Sequence, residues 1–145
     1  MLRILALASV IALGATAVLA QNAAGVTARK EAMKQYGGAV KEPGAMNKGE
    51  APFDLAKVQA SLKKIEELSV TSKTLFGDDT KTGETDTLPA AFENKADLFG
   101  MFDKTAAAAK AAAAAIKDEA SFKAEWGKVV SNCGGCHKAY RKPKS

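Results

Sequence analysis

Five consecutive residues near the end of the chain, Cys133-Gly134-Gly135-Cys136-His137, carry the clearest chemistry in the sequence. They form the C-x-x-C-H pattern that is typical of covalent haem attachment. Two thiols about one helical turn apart can reach the two vinyl groups along one porphyrin edge and form thioethers. The imidazole that follows can ligate the iron through a ring nitrogen. The motif therefore predicts one covalent haem c, attached at Cys133 and Cys136 and ligated by His137.

Two other uses of a C-x-x-C motif fit this sequence less well. A thioredoxin-type dithiol accompanies a βαβ unit, and no segment of this chain has the pattern of a strand. A structural zinc ion needs four ligands, whereas the chain contains two cysteines, one histidine and no carboxylate close to them. A non-haem helical module that uses the two thiols for metal or redox chemistry remains as an alternative. The single histidine also excludes a second histidine ligand on the iron.

The motif lies in a predicted helix that begins near Asp118 and ends near Arg141, before Pro143. At about 100° per residue, its apolar residues and the motif share an arc of about 120°. The members of this arc are Phe122, Trp126, Val129, Val130, Cys133, Cys136, His137 and Tyr140. The cysteines and the histidine are therefore predicted to point into the core of the protein.

Three further segments have the pattern of amphipathic helices. The first covers about 23–42 and is predicted to end at Pro43, the second covers about Asp54 to Ser72, and the third begins with Pro89. One face of the first helix carries Val26, Arg29, Met33, Gly37 and Val40. Four such helices with short connections predict an all-α, antiparallel four-helix bundle with the covalent haem in its core.

The third of these segments is rich in alanine between residues 106 and 115. Alanine favours helix and lets a neighbouring helix approach closely, whereas a disordered low-complexity linker is the alternative. The predicted buried face carries Phe92, Phe99, Phe102, Ala106 and Ala113. We therefore expect this helix to pack tightly in the bundle.

The amino terminus has the layout of a secretory signal peptide. Arg3 is followed by an apolar run over 4–19, and Val18-Leu19-Ala20 forms a small-residue cleavage site. We expect residues 1–20 to be removed and residues 21–145 to form the mature domain in the periplasm, without stable membrane insertion. A retained amino-terminal anchor is the alternative.

Composition and charge limit the classes of function that the protein can have. The chain has 21 basic and 16 acidic residues and a formal net charge of +5, and its lysines are scattered over solvated helix faces. This pattern does not indicate a nucleic-acid partner. No catalytic triad, paired-carboxylate site or phosphate-binding glycine loop is recognisable, so we predict that the protein is not an enzyme.

Together, these features resemble the cytochrome c-prime family, the class II c-type cytochromes. The resemblance rests on the carboxyl-terminal C-x-x-C-H motif followed by Lys-Ala-Tyr-Arg at 138–141, on Arg29-x-x-x-Met33, on the run Lys-Gly-Glu-Ala-Pro-Phe-Asp at 48–54, and on Leu-Phe-Gly at 75–77. It covers the whole mature chain and is strongest over the last 25 residues.

The resemblance implies roles for three further residues. In the branch that includes cytochrome c-556, a methionine of the first helix is the sixth iron ligand, and that position falls on Met33. Arg29 resembles an arginine that binds a haem propionate, and Arg141 resembles one beside the proximal histidine. From the residues alone, Met33 can equally be a gap-filling core residue, Met46 and Met101 compete with it, and Arg141 can act on the helix dipole.

The resemblance thus favours a periplasmic electron carrier with His137/Met33 ligation, served by redox partner proteins of unknown identity. The alternative is a gas-binding protein of the five-coordinate branch, which takes nitric oxide or carbon monoxide, or one whose Met33 is displaced by such gases. The family includes both monomers and homodimers, and the sequence leaves both states open.

Overall fold

The computed structural model describes residues 2–143, with side chains from residue 23 onward. Over these residues the chain forms five helices and no extended strand: α1 (Leu2–Lys48), α2 (Leu55–Ser72), α3 (Ala90–Glu93), α4 (Lys95–Ala115) and α5 (Glu119–Tyr140). Helices α1, α2, α4 and α5 make up the bundle, which confirms the predicted all-α fold. The signal peptide expected over 1–20 falls outside the described side chains and stays a prediction.

Helix α1 is longer than the sequence predicted, because Pro43 lies inside it. The proline ring is fully buried, and Met46, one turn further on, is 3% exposed in the core. This packing outweighs the backbone hydrogen bond that proline removes. The helix ends instead at Lys48, and the next residue, Gly49, has a φ of 77° that is easily reached only by glycine. Backbone bonds from Gly49 to Met46 and from Glu50 to Ala45 complete a Schellman motif.

Helices α2 and α5 begin where the sequence predicted. The Asp54 side chain accepts a hydrogen bond of 3.1 Å from the backbone N–H of Lys57. Asp118 and Ser121 form a reciprocal capping box at the start of α5. Each cap satisfies N–H groups that have no partner within their own helix.

The third predicted helix is divided in two. Pro89 precedes α3, and the chain breaks at Asn94, whose φ of −111° and ψ of 46° are not helical, before α4 begins. The alanine-rich stretch is helical, as predicted, and is not a linker. The most buried residues of α4 are Leu98, Phe102, Thr105, Ala109 and Ala112. The buried face is thus displaced from the predicted one, because α4 packs closely on α2 through its alanines.

The interior consists of two hydrophobic clusters. We call the first the packed core: Met46, Val58, Leu62, Ile65, Ala109, Ala112, Ile116, Phe122, Trp126 and Val129. We call the second the cavity core: Phe76, Ala91, Phe92, Leu98, Phe102 and Tyr140. Helix α4 packs on α2 and α5, and α1 packs on α2, but α1 and α5 touch little. The first and last helices are therefore held apart.

Within residues 23–143, no helix is long and apolar enough to cross a membrane.

Candidate haem site

A cavity of about 570 Å³ fills the space between α1, α4 and α5. Its volume lies in the range of small-molecule and cofactor sites. Six residues were predicted from the sequence as site residues, and all six line this one cavity: Arg29, Met33, Cys133, Cys136, His137 and Arg141. The fold thus brings together side chains that are more than 100 positions apart in the chain.

Helix α5 presents the motif to the cavity. Cys133 and Cys136 are half-buried and are not joined in a disulfide. Burial raises the pKa of both thiols, and for Cys136 the nearby Cys133 and Asp97 raise it further. Both sulfurs are therefore neutral thiols at neutral pH. His137 lines the same wall in the last turn of α5, with its side chain at the exposed rim.

The structure separates the three methionines that competed in the sequence. Met33 is half-buried and lines the cavity from α1, on the side facing α5. Met101 also lines it, from α4. Met46 belongs to the packed core and does not line the cavity. Two methionine sulfurs therefore remain as candidates for an iron ligand.

Arg29 lies at the edge of the cavity and is only 4% exposed. Its guanidinium donates hydrogen bonds to Leu75 and Thr80 and lies over the rings of Phe76 and Phe92, 5.4 and 5.3 Å from their centroids. Burial lowers the pKa of Arg29, and the neighbouring Asp79 partly opposes this shift. Its Nε is buried without a hydrogen-bond partner among the described residues.

Arg141 follows the last turn of α5 as its C-cap residue. Its backbone N–H donates to the carbonyl of His137 at 3.1 Å. It also forms an isolated antiparallel bridge with Thr87. A strap of chain over residues 85–88 is thereby fixed beside the motif, with bonds of 2.9 Å from Leu88 to Tyr140 and 2.8 Å from Lys142 to Asp86.

Two tyrosines, Tyr36 and Tyr140, line the cavity. Their hydrogen-bond partners could not be predicted from the sequence. The Tyr140 hydroxyl donates to Asp97 on α4, and this bond, together with burial, raises the pKa of Tyr140 to about 12. The Tyr36 hydroxyl donates to Ser69 on α2 at 2.9 Å. The arc of α5 placed Tyr140 on the correct face, but no sequence pattern connects positions 97 and 140.

Two aromatic residues, Phe76 and Trp126, differ in position relative to the cavity. Phe76 lines the cavity, 5.8 Å from Phe102 between ring centroids. Trp126 lies in the packed core against Phe122, at 5.7 Å, and does not line the cavity. The arc of α5 thus continues past the cavity, and only its carboxyl-terminal half faces it.

The residues present fit a covalent haem. The walls combine apolar side chains such as Leu98 and Phe102 with two thiols and an imidazole on one side and a thioether across from them. A buried guanidinium at the edge suits the acidic propionates of a porphyrin. Among the described residues, no group of three or more histidine, cysteine, aspartate or glutamate side chains could hold a bare metal ion.

A helical bundle with a C-x-x-C-H motif on its last helix, facing a cavity next to its first helix, defines a class II c-type cytochrome. The family model described as Cytochrome C' matches residues 24–141, and the chain belongs to this family. Covalently bound haem c is the cofactor of the family, as the motif predicted.

The relatives come from both branches of the family. The chain is 46% identical to a cytochrome c′ of Rhodopseudomonas palustris over 99% of both chains. It is 32% identical to a cytochrome c-556 of the same organism over 97% of both. Among solved structures, the R. palustris cytochrome c′ superposes with a TM-score of 0.81 at 48% identity, covering 83% of this chain and 98% of that one. An NMR-validated structural model of oxidised R. palustris cytochrome c556 gives 0.76 at 28% identity, covering 83% and 98%.

Proposed function

We propose that the protein carries single electrons in the periplasm by means of one haem c attached at Cys133 and Cys136 and ligated by His137 and Met33. The observation that carries this proposal is that Met33 and the motif line the same cavity from helices on its opposite sides. The haem, when bound, supplies the one-electron couple of its iron.

Met33 is favoured over Met101 by the arrangement of the helices. His137 and a second protein ligand would hold the haem iron from two different walls of the cavity. Helix α4, which carries Met101, packs directly against α5, whereas α1 is separated from α5 by the cavity. A side chain of α1 therefore faces His137 across the cavity, and Met33 is the residue of α1 there that can offer a sulfur.

The walls of the cavity suit electron transfer rather than chemistry on a substrate. With His137 and Met33 both holding the iron, the haem would offer no open position to a substrate. Thioether ligation favours the reduced state and raises the reduction potential. Apolar side chains such as Phe76, Leu98 and Phe102 keep water away from the site, and two covalent bonds keep the cofactor attached during redox cycling.

The proposed carrier works outside the cytoplasmic membrane with protein partners. Residues 1–20 act as the export signal, and residues 21–145 form the periplasmic domain. The partners are redox proteins, without nucleic acid, and the protein works as a monomer or homodimer with no enzymatic activity of its own. The homologous cytochromes c′ and c-556 support this reading as a class.

A second candidate function is the binding of small gases at a five-coordinate or readily opened iron. The higher identity to a cytochrome c′, 46% against 32% for a cytochrome c-556, favours it. One related structure, at 26% identity and a TM-score of 0.75, is a nitric oxide complex of a mutant cytochrome c prime from Alcaligenes xylosoxidans, covering 85% of this chain and 97% of that one. Under this alternative, Met33 is a wall residue of the gas pocket.

Visible spectra with and without carbon monoxide separate the two functions. If Met33 is the sixth ligand, the ferric protein is low-spin, and the ferrous protein takes up carbon monoxide slowly. Met33→Ala then converts the iron to high spin, lowers the potential and opens the site. Met101→Ala, which shortens the other methionine of the cavity, is the matched control and leaves the spectrum unchanged. A wild-type protein that is already high-spin and binds carbon monoxide rapidly would replace electron transfer by gas binding.

A further inference from the structure

A buried polar contact joins the edge of the cavity to the turn over residues 77–80. Arg29 Nη1 donates to the carbonyl of Leu75 at 2.9 Å and to the hydroxyl of Thr80. Nη2 donates to the carbonyl of Thr80 at 2.7 Å. The Thr80 hydroxyl in turn donates a hydrogen bond of 2.8 Å to the carbonyl of Gly77. Thr80 alone therefore accepts hydrogen bonds from both terminal nitrogens of the Arg29 guanidinium.

These bonds leave a defined part of the guanidinium without a protein partner. A guanidinium has five N–H donors in a fixed plane, and three of them are used here by Leu75 and Thr80. Because both terminal nitrogens face Thr80, the two remaining donors lie on Nε and Nη2, along the adjacent edge. Nε is buried and has no partner among the described residues. Two parallel N–H groups along one edge match the two oxygens of a carboxylate.

The buried positive charge of Arg29 also favours an anion at its Nε–Nη2 edge. Burying a cation without a counter-charge is costly, and Arg29 is 4% exposed. Asp79 is near enough to raise the pKa of Arg29, but no hydrogen bond joins the two side chains. The Asp79 carboxylate is instead turned back over Gly77, where a Cβ would lie 2.4 Å from its Oδ1.

Gly25 allows Thr80 to approach α1 this closely. A Cβ at position 25 would lie 2.1 Å from Cγ2 and 2.8 Å from Cβ of Thr80, so any larger residue would displace that side chain. Gly25 precedes Arg29 by one helical turn and lies on the same face. The contact between Thr80 and Arg29 therefore depends on two features: the Thr80 hydroxyl and the absence of a side chain at Gly25.

We propose that Thr80 is a positioning residue that fixes Arg29 so that its Nε–Nη2 edge binds a carboxylate in the cavity, a propionate of the haem. This inference rests on the proposed haem site and adds to it the residue that orients the arginine. The positive charge so placed favours the ferrous state, which carries one positive charge less. Loosening it therefore lowers the reduction potential.

Paired variants of the haem-loaded protein test this inference. Thr80→Val keeps the shape of the side chain and removes its hydroxyl, whereas Thr80→Ser keeps the hydroxyl. Gly25→Ala displaces Thr80 from the other side. Gly38→Ala is its control, because a Cβ there meets nothing within 4 Å and both changes raise the helix propensity of α1 alike.

The readouts are the reduction potential and the water exchange of the Arg29 Nε–H, followed by NMR in the ferrous state. Arg3, Arg29 and Arg141 are the arginines of the chain, so Arg29→Lys assigns the signal by its loss. We expect Thr80→Val and Gly25→Ala to lower the potential and to speed the exchange about fivefold, the factor for one net hydrogen bond. Thr80→Ser and Gly38→Ala should match the wild type.

Covalent haem content, measured first in every protein, distinguishes the possible failures. A wild-type chain without covalent haem would contradict the proposed function itself. If all variants carry haem, and Thr80→Val and Gly25→Ala keep the wild-type potential and exchange rate while Arg29→Lys changes the potential, then Arg29 binds the carboxylate without help from Thr80. If Arg29→Lys also leaves the potential unchanged, the edge binds no propionate. Either result overturns the inference.

Discussion

The packed core and the cavity core differ in what fills them. In the packed core, Val58, Leu62 and Phe122 are fully buried by other side chains, and Phe53 and Phe122 lie 5.5 Å apart between ring centroids. In the cavity core, residues such as Phe102 form one wall of a space of about 570 Å³. The first region is completed by the protein alone, whereas the second is shaped around a cofactor. The stability of the two regions should therefore respond differently to loss of haem.

Loss of the haem should produce the largest difference between the regions. Without haem, the apolar walls of a space of about 570 Å³ lose their packing partner. Unfilled apolar space in a core costs several kcal/mol, which is comparable with the whole stability of a small domain. Replacing both cysteines, Cys133→Ala and Cys136→Ala, should remove the haem-staining band in denaturing electrophoresis and leave a partly unfolded chain by circular dichroism.

Amide hydrogen exchange shows where such a haem-free chain is unfolded. We expect protection to persist around Leu62 and Phe122 and to be lost around Phe102 and Cys136. A cooperative thermal melt close to that of the haem-loaded protein, or equal protection in both regions, would contradict the expected difference between the packed core and the cavity core. A haem band that survives the double change would contradict covalent attachment at these cysteines.

Two methionines of α1 allow the comparison to be made within a single helix. Met46→Ala should lower the free energy of unfolding by about 2–5 kcal/mol, as for other buried large-to-small changes, and leave the haem spectrum unchanged. Met33→Ala should cost less stability, since that side chain is only half-buried, but should change the spectrum. Urea unfolding and visible spectroscopy of both variants give the result. Similar spectra in the two variants would mean that Met33 does not ligate the iron.

The smallest expected effect concerns the cavity core at high pH. The pKa of Tyr140 is about 12 in the folded protein, against about 10 for an unperturbed tyrosine. The folded state therefore keeps this proton longer, and the resulting stability is present below pH 10 and lost as the pH rises from about 10 to 12. In urea unfolding, the stability difference between wild type and Tyr140→Phe should be constant below pH 10 and shrink above it. A difference that stays constant to pH 12 would contradict the Asp97 hydrogen bond as its cause.

Local patterns predicted the parts of the fold that depend on nearby residues. The starts of α2 and α5 near Asp54 and Asp118 follow from the chemistry of single turns, and the structure has them where expected. The arc of α5 is buried at Phe122, Trp126, Val129 and Tyr140. His137, which was expected to point into the core, is instead exposed at the rim of the cavity.

The predicted end of α1 at Pro43 was wrong. The prediction used the helix-breaking effect of proline but not the burial of Met46, which lies one turn further on. The glycine signal at Gly49 was available in the sequence and was the better indicator.

Contacts between distant segments were beyond the reach of such patterns. The bond between Arg29 and Thr80 spans 51 positions, and that between Asp97 and Tyr140 spans 43. Met33 and Met46 are equally apolar and lie on the same helix, so only the packing of α2 and α4 decides which one reaches the cavity. The family resemblance selected Met33, but the residues alone left the choice open.

If the protein carries electrons as proposed, the separation of α1 from α5 has a consequence for the rate at which it does so. The cavity residues that are also exposed, Lys30, Gly37, Asp86 and His137, mark its mouth. This mouth is bounded by two long helices and by a strap that backbone hydrogen bonds fix to the end of α5. None of these boundaries has to open before a partner reaches the edge of the cofactor. Electron transfer should therefore be ungated, with an observed rate that rises in proportion to the concentration of the partner until the docked complex saturates.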